Sequence, residues 1–171
     1  LKKFIHMEFA NGVIRPVIHT SVHQPHDKGP GFSLAIFGQY FNRLDSWAEM
    51  AGPWVDYMSR SSFLLQQGRN VADLAYFIGE EQPAGVLFAK NALGDLPRSY
   101  AYDLFDAGML TGALSVQGAD LVTPGGARYR ALYLGGTSAR MTVPVLRQLA
   151  DLVSPGATVI GSRPLSSPSL A

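Results

Sequence analysis

Three of the chain's four histidines lie between His19 and His26, in the run His19-Thr20-Ser21-Val22-His23-Gln24-Pro25. On a helix, the four-residue spacing of His19 and His23 would match a pair of metal ligands. Here the run follows Val13 to Ile18, an apolar, β-branched stretch that reads as a strand, so the spacing loses that meaning. No carboxylate beside the pair completes a metal set. Two other readings stay open: substrate-binding groups at a strand end, or histidines satisfied by the backbone. The run continues into Phe37-Gly38-Gln39-Tyr40-Phe41-Asn42-Arg43, with Trp47 close behind. Amide and guanidinium donors can read sugar hydroxyls, and aromatic faces can stack on the C–H side of a sugar ring. The alternative is a structured loop whose polar groups cap neighbouring elements.

Other candidates carry less. Gly79-Glu80-Glu81 follows a strand-like run. Adjacent carboxylates diverge and do not make an acid/base pair, so the expectation is a solvated turn. No Gly-x-Gly-x-x-Gly fingerprint follows that strand, and no nucleophile elbow surrounds any serine. Asp103 and Asp106 are expected as caps at a helix start. The chain has no cysteine, which excludes disulfides, thiolate catalysis and cysteine-bound zinc. With a net charge of +1 and scattered basic residues, it lacks the basic face of a nucleic-acid binder. No window approaches a membrane span of roughly 20 apolar residues. Hydrophobic residues make up 47% of the chain and charged residues 16%, enough to bury a sizeable core.

Several elements are expected to position these residues. Leu1 to Ala10 reads as the end of a helix stopped at Gly12. Val13 to Ile18 is a strand, with Pro16 marking an edge or an irregularity. Gln24 to Asp45 is a long loop ordered by its aromatic residues. Ser46-Trp47-Ala48-Glu49 fits a capping box that opens a helix to about Gln67, kinked or divided by Pro53 near Gly52. Val71 to Ile78 is a buried strand, and Tyr102 to Leu110 a short helix. Ala113 to Val116, Leu121-Val122 and Tyr129 to Leu134 are strands. Thr142-Val143-Pro144 starts a helix with Val143, Leu146, Leu149, Ala150 and Val153 as its buried stripe. Ala157 to Ile160 follows as a strand. Strand, helix and strand with short connections imply a parallel, doubly wound sheet. The start at Leu1 and the stop after a strand read as an internal segment of a larger protein.

The stretches Gly12 to Pro25, Pro30-Gly31, Phe37 to Arg43, Trp47-Ala48, Tyr57 to Gly68, Ala72 to Phe77, Gly79-Glu80, Tyr102-Asp103, Arg163-Pro164 and Ser167 to Leu170 together resemble glycoside hydrolase family 106, the α-L-rhamnosidases. The resemblance implies the last helix and strand of a (β/α)8 catalytic barrel with its active-site loop (1–45) and a connecting helix (46–69). An incomplete Rossmann- or flavodoxin-like, glutamine amidotransferase-like α/β domain (70–171) would follow. It further implies release of terminal α-L-rhamnose by inversion, with two catalytic glutamates on earlier barrel strands. Calcium is expected in the full-length enzyme. Catalytic residues and calcium ligands would therefore lie outside this segment, which alone would be inactive. His19, His23, Gln39, Arg43 and Trp47 are the residues expected to bind a rhamnose-containing glycan or glycoside. The family also points to a periplasmic or extracellular location. Ile14, Pro16, Leu44-Asp45-Ser46 and Phe105-Asp106 depart from the family's commoner residues and bear on fine specificity. Two further readings are a β-galactosidase of the barrel-plus-amidotransferase-like type and a sugar-binding or assembly domain without catalysis.

Overall fold

The computed structural model describes residues 2–36, 41–81, 99–136 and 138–169. It divides into two compact units, Leu1–Arg69 and Asn70–Ala171.

The first unit begins with helix α1, Lys2–Ala10. Gly12, at φ +93°, ends it as expected, because only glycine adopts that conformation freely. Tyr57 holds α1: the His6 Nε2 and the Tyr57 hydroxyl hydrogen-bond, and the Lys2 ammonium sits 4.7 Å from the Tyr57 ring centre. The expected strand from Val13 to Ile18 is absent. No described residue pairs with this segment, Pro16 has no N–H to give, and Val17 is 91% exposed. A β-branched composition makes a strand only where a neighbouring backbone completes its hydrogen bonds.

The loop after it is ordered by a buried polar side chain, not chiefly by the aromatic packing expected from sequence. Gln24 is 8% exposed. Its Nε2 donates to the Val22 carbonyl at 3.1 Å and the Phe32 carbonyl at 2.9 Å, and its Oε1 accepts from the Phe32 N–H at 2.7 Å. Gly31 passes directly over this clasp at φ +84°. A Cβ there would lie 2.6 Å from the Gln24 Oε1 and 2.7 Å from the Asn42 Oδ1. Phe32 itself remains half exposed, against His26 at 5.0 Å.

The expected capping box does not form. Asp45 takes that role, accepting from the Ser46 hydroxyl and the Trp47 N–H at 3.5 and 3.4 Å. A 3-10 turn, Ala48–Met50, leads to helix α2, Gly52–Leu65. Pro53 stands in the first turn of α2, where its missing N–H costs nothing, so it starts the helix and does not kink it.

The second unit is built on a parallel four-stranded sheet, ordered β2-β1-β6-β7, with β1 Leu74–Phe77, β2 Tyr102–Phe105, β6 Ala131–Leu134 and β7 Val159–Gly161. Every residue of β1 is buried, as a central parallel strand requires. Ala75 and Phe77 on one face join Phe105, Leu132 and Leu134 in the core, beneath Leu110 of α3 (Ala107–Ala113) and Val145, Leu149 and Leu152 of α4 (Val143–Val153). The other face carries Tyr76 between Tyr133, stacked at 5.5 Å, and Tyr102 at 6.2 Å. A small antiparallel sheet, β3 Ser115–Gln117, β4 Asp120–Val122 and β5 Arg128–Tyr129, is inserted between α3 and β6.

Four expectations change here. Tyr102 to Leu110 is not one helix. β2 pairs with β1 through its first four residues, and Asp106 then caps α3 by accepting from the Met109 N–H at 2.7 Å. Asp103 is therefore a strand residue, not a cap. Tyr129 to Leu134 is two strands in two sheets, divided at Arg130. The buried stripe of α4 lies on Val145, Leu149 and Leu152, while Ala150 and Val153 face solvent. Finally, Glu80 does not sit in a solvated turn. Its carboxylate accepts from the Thr142 N–H at 2.7 Å and the Thr142 hydroxyl at 2.8 Å, fixing the start of α4. Glu81 pairs with Arg140 at 3.1 Å.

Asp103 accepts from the Tyr129 hydroxyl at 2.9 Å and from the Asn70 side-chain amide at 2.7 Å. Burial, reinforced by the hydrogen bond to Asp103 and by its charge, holds the Tyr129 phenol above its usual range. Its neutral form is favoured in the folded state, so this stabilisation is complete below about pH 10. Above that pH the unfolded chain loses the proton first, and stability falls. Tyr129→Phe should cost about 1 kcal/mol at pH 7 and lose stability less steeply between pH 9 and 11 than the parent, measured by urea unfolding. Equal slopes would remove Tyr129 as the source. In the first unit, Gln24→Ala orphans both backbone groups of Phe32. It should cost about 2–3 kcal/mol and open residues 24–32 to limited proteolysis, and an uncut loop would show that the clasp is dispensable.

Candidate functional site

The Gln24 clasp holds residues 24–32, and that loop holds the segment after it. The Pro30 carbonyl accepts from the Asn42 Nδ2 at 3.3 Å, while the Asn42 Oδ1 accepts from the Leu44 N–H at 2.8 Å. Asp27 pairs with Arg43 at 2.7 Å. Both partners are more than half exposed, so the pair adds little stability but fixes the direction of the guanidinium. The Phe41 ring leans on Trp47 at 5.7 Å with 53° between their planes, making a corner and not a parallel slot. Beside them lies an open cavity of about 310 Å³, lined by Ser21, Phe41, Asn42, Arg43, Trp47, Ala48 and Ala51. Its volume lies at the lower end for small-molecule sites.

Of the residues expected to bind substrate, the structure brings Arg43 and Trp47 together in this cavity. His19 and His23 flank its lining residue Ser21 in sequence. Both are exposed, and neither lines the cavity or has a hydrogen-bond partner among the described residues. Gln39 lies outside the described residues, as do Phe37, Gly38 and Tyr40. The third histidine of the cluster, His26, accepts from the Lys28 N–H through its Nδ1 at 3.2 Å and closes a turn. Asn42 belongs to the amide and aromatic cluster singled out from sequence, whereas Ser21, Ala48 and Ala51 were not nominated. Ser21 lay inside a quoted motif. Nothing in the sequence distinguished the two alanines, whose contribution is the absence of polar atoms.

Among the described residues, none that lines the cavity carries a carboxylate. Among the described residues, no three His, Asp or Glu side chains converge. Calcium takes about six to eight oxygen ligands. These residues do not fit such a centre, nor a zinc site on His19 and His23, and no step is assigned to either metal. A second cavity, of about 490 Å³, lies between residues 15–18 and α2, with Arg15, Ser59, Ser62 and Gln66 as its polar lining. There the Gln66 side chain donates to the Ser62 carbonyl at 2.9 Å, within α2.

In the second unit, the chain runs outward from β1 to β2 and later from β6 to β7. The switch in strand order therefore falls between β1 and β6, where doubly wound folds bind ligands. Among the described residues, two contacts stand at that position. Glu80, just after β1, is committed to Thr142. A Cβ on Gly135, just after β6, would lie 2.0 Å from the Tyr76 ring. Among the described residues no helix is long and apolar enough to cross a membrane.

Comparison with known proteins places these features. A solved rhamnosidase from Novosphingobium sp. PP1Y is 60% identical, with a TM-score of 0.88 over 99% of this chain and 16% of its own. A protein of Formosa agariphila named "Putative beta-glucuronidase" is 41% identical over 172 residues, which cover 99% of this chain and 14% of that relative. The chain thus spans about one-sixth or less of the proteins it matches. The α-L-rhamnosidase model of glycoside hydrolase family 106 matches residues 1–171, the whole chain, and the chain belongs to that family.

Proposed function

We propose that the protein containing this segment hydrolyses terminal α-L-rhamnosides and that residues 19–51 supply part of the sugar-binding wall. The observation that carries this reading is the cavity, which sets an indole and a phenyl ring against a guanidinium in a chain matched along its whole length to the α-L-rhamnosidases. In this reading, residues 1–45 end a (β/α)8 barrel. Val13 to Ile18 completes its strand only beside barrel neighbours from the rest of the protein. Residues 46–69 connect it to the amidotransferase-like domain of residues 70–171. His19, His23, Gln39, Arg43 and Trp47 bind the glycone or its aglycone.

Hydrolysis proceeds with inversion. One glutamic acid protonates the departing oxygen while a glutamate draws a proton from water attacking the opposite face. Neither is assigned within this segment: Glu8 and Glu49 are exposed on α1 and the 3-10 turn, Glu80 holds Thr142, and Glu81 pairs with Arg140. The calcium expected for the full-length enzyme is held, in this reading, by residues outside these 171. Hydrolysis of a β-glucuronide is the second reading, favoured by the name of the Formosa relative.

The full-length protein should turn over 4-nitrophenyl α-L-rhamnoside and not 4-nitrophenyl β-D-glucuronide. Chelation of calcium should abolish activity and added calcium restore it. A folded full-length protein inert on the rhamnoside would overturn the assignment. Turnover of the glucuronide would favour the second reading, and no turnover of any glycoside would leave a binding role. Replacing His19 or His23 by Ala should raise KM for the rhamnoside about three- to tenfold, the loss of one hydrogen bond to a neutral hydroxyl, without lowering the melting temperature. Unchanged kinetics would assign both histidines to the scaffold.

A further inference from the structure

Some of the polar groups around the cavity already have partners. The Asn42 Oδ1 is taken by the Leu44 N–H, and its Nδ2 donates to the Pro30 carbonyl. The Arg43 charge is paired with Asp27 at 2.7 Å. Ser21 keeps a hydroxyl that makes no bond to any described residue. Opposite these stand two aromatic rings in a corner, closed by the methyl groups of Ala48 and Ala51. Such a wall suits a neutral group with an apolar end. A carboxylate placed there would have to share Arg43 with Asp27 and lie near a like charge. A hydroxymethyl group seated against the rings would bring an O–H against alanine methyls and ring faces, which cannot receive it.

We propose that the Phe41–Trp47 corner seats the C6 methyl of a 6-deoxy sugar, and that Ala48, Ala51 and the Asp27–Arg43 pair select that sugar against hexoses and uronates. This inference rests on the rhamnoside reading and adds the part of the sugar that the cavity reads. The sharpest comparison is between L-rhamnose and L-mannose, which differ only by the C6 hydroxyl. Aromatic walls and alanine methyls discriminate such a pair about 10- to 100-fold, the range open to an apolar pocket that meets an added hydroxyl.

The test uses the full-length protein and two readouts: kcat/KM on the 4-nitrophenyl glycosides of α-L-rhamnose and α-L-mannose, and calorimetric binding of the two free sugars. The rhamno sugar should be preferred about 10- to 100-fold in both. Ala51→Ser, which places a hydroxyl in the corner at the residue before α2 and suits a helix start, should reduce that preference at least threefold with folding intact. Ala51→Leu, which fills the corner, should raise KM for the rhamnoside more than tenfold. Turnover of the rhamnoside without discrimination, or a ratio unmoved by both variants, overturns this inference alone. Absence of both turnover and rhamnose binding overturns it together with the rhamnosidase reading. Discriminating binding without turnover upholds the pocket and removes the hydrolysis.

Discussion

The side-chain amide of Gln24 bonds both backbone groups of Phe32, and most of the described order in the loop of residues 24–47 follows from it. A loop has no ladder of its own, and each buried backbone group needs a partner. Gln24 supplies these from inside and draws the chain so close that only glycine fits at position 31. Closing that turn puts the Pro30 carbonyl in reach of Asn42 and Asp27 in reach of Arg43. Asn42 and Asp45 then receive the N–H groups of Leu44 and Trp47, setting the indole beside Phe41. The cavity wall is thus the last link of a series of polar contacts, none of which has to touch a ligand. This is how a loop acquires a rigid surface without a hydrophobic core beneath it.

The second unit solves the opposite problem. Its core is generous, with Phe77, Phe105, Leu132, Met141 and Val145 essentially inaccessible to solvent. Its strand ends are where a doubly wound fold would offer a ligand crevice. Glu80 places an anion at the start of α4, as a bound phosphate does in many such folds. The helix is satisfied internally, and Tyr76 fills the space beside Gly135. The fold is retained while its usual binding position is occupied by the protein's own side chains.

Legibility in the sequence followed how local each determinant is. Gly12 and Pro53 declared the end of α1 and the start of α2, because φ freedom and a missing N–H act at one residue. β1 was legible as a continuous apolar run. Tyr102 to Phe105 was misread as helix because its strand exists only through pairing with β1, thirty residues earlier in the chain. Val13 to Ile18 failed the other way, carrying strand composition with no described partner. The candidate site was legible as a region, through clustered histidines, amides and aromatics. Which members meet was not legible, since that depends on the Gln24 amide turning inward while His19 and His23 stay exposed. Ser46 and Glu49 had the pattern of a capping box, but Asp45, one residue earlier, accepts from the Ser46 hydroxyl and the Trp47 N–H instead.

The same construction explains how relatives bearing different substrate names can share this segment. The 60% identical rhamnosidase and the 41% identical Formosa protein both align along nearly all of it. The contacts that shape the loop use amide and carboxylate groups bonded to backbone, so they constrain the chain path and not the ligand. What lines the cavity is a short set of residues: Ser21, Phe41, Asn42, Arg43, Trp47 and two alanines. Exchanging one alanine, or releasing Arg43 from Asp27, would alter the polarity presented to a sugar while leaving Gln24, Gly31 and Asn42 untouched. A shared fold by itself places little restriction on the substrate.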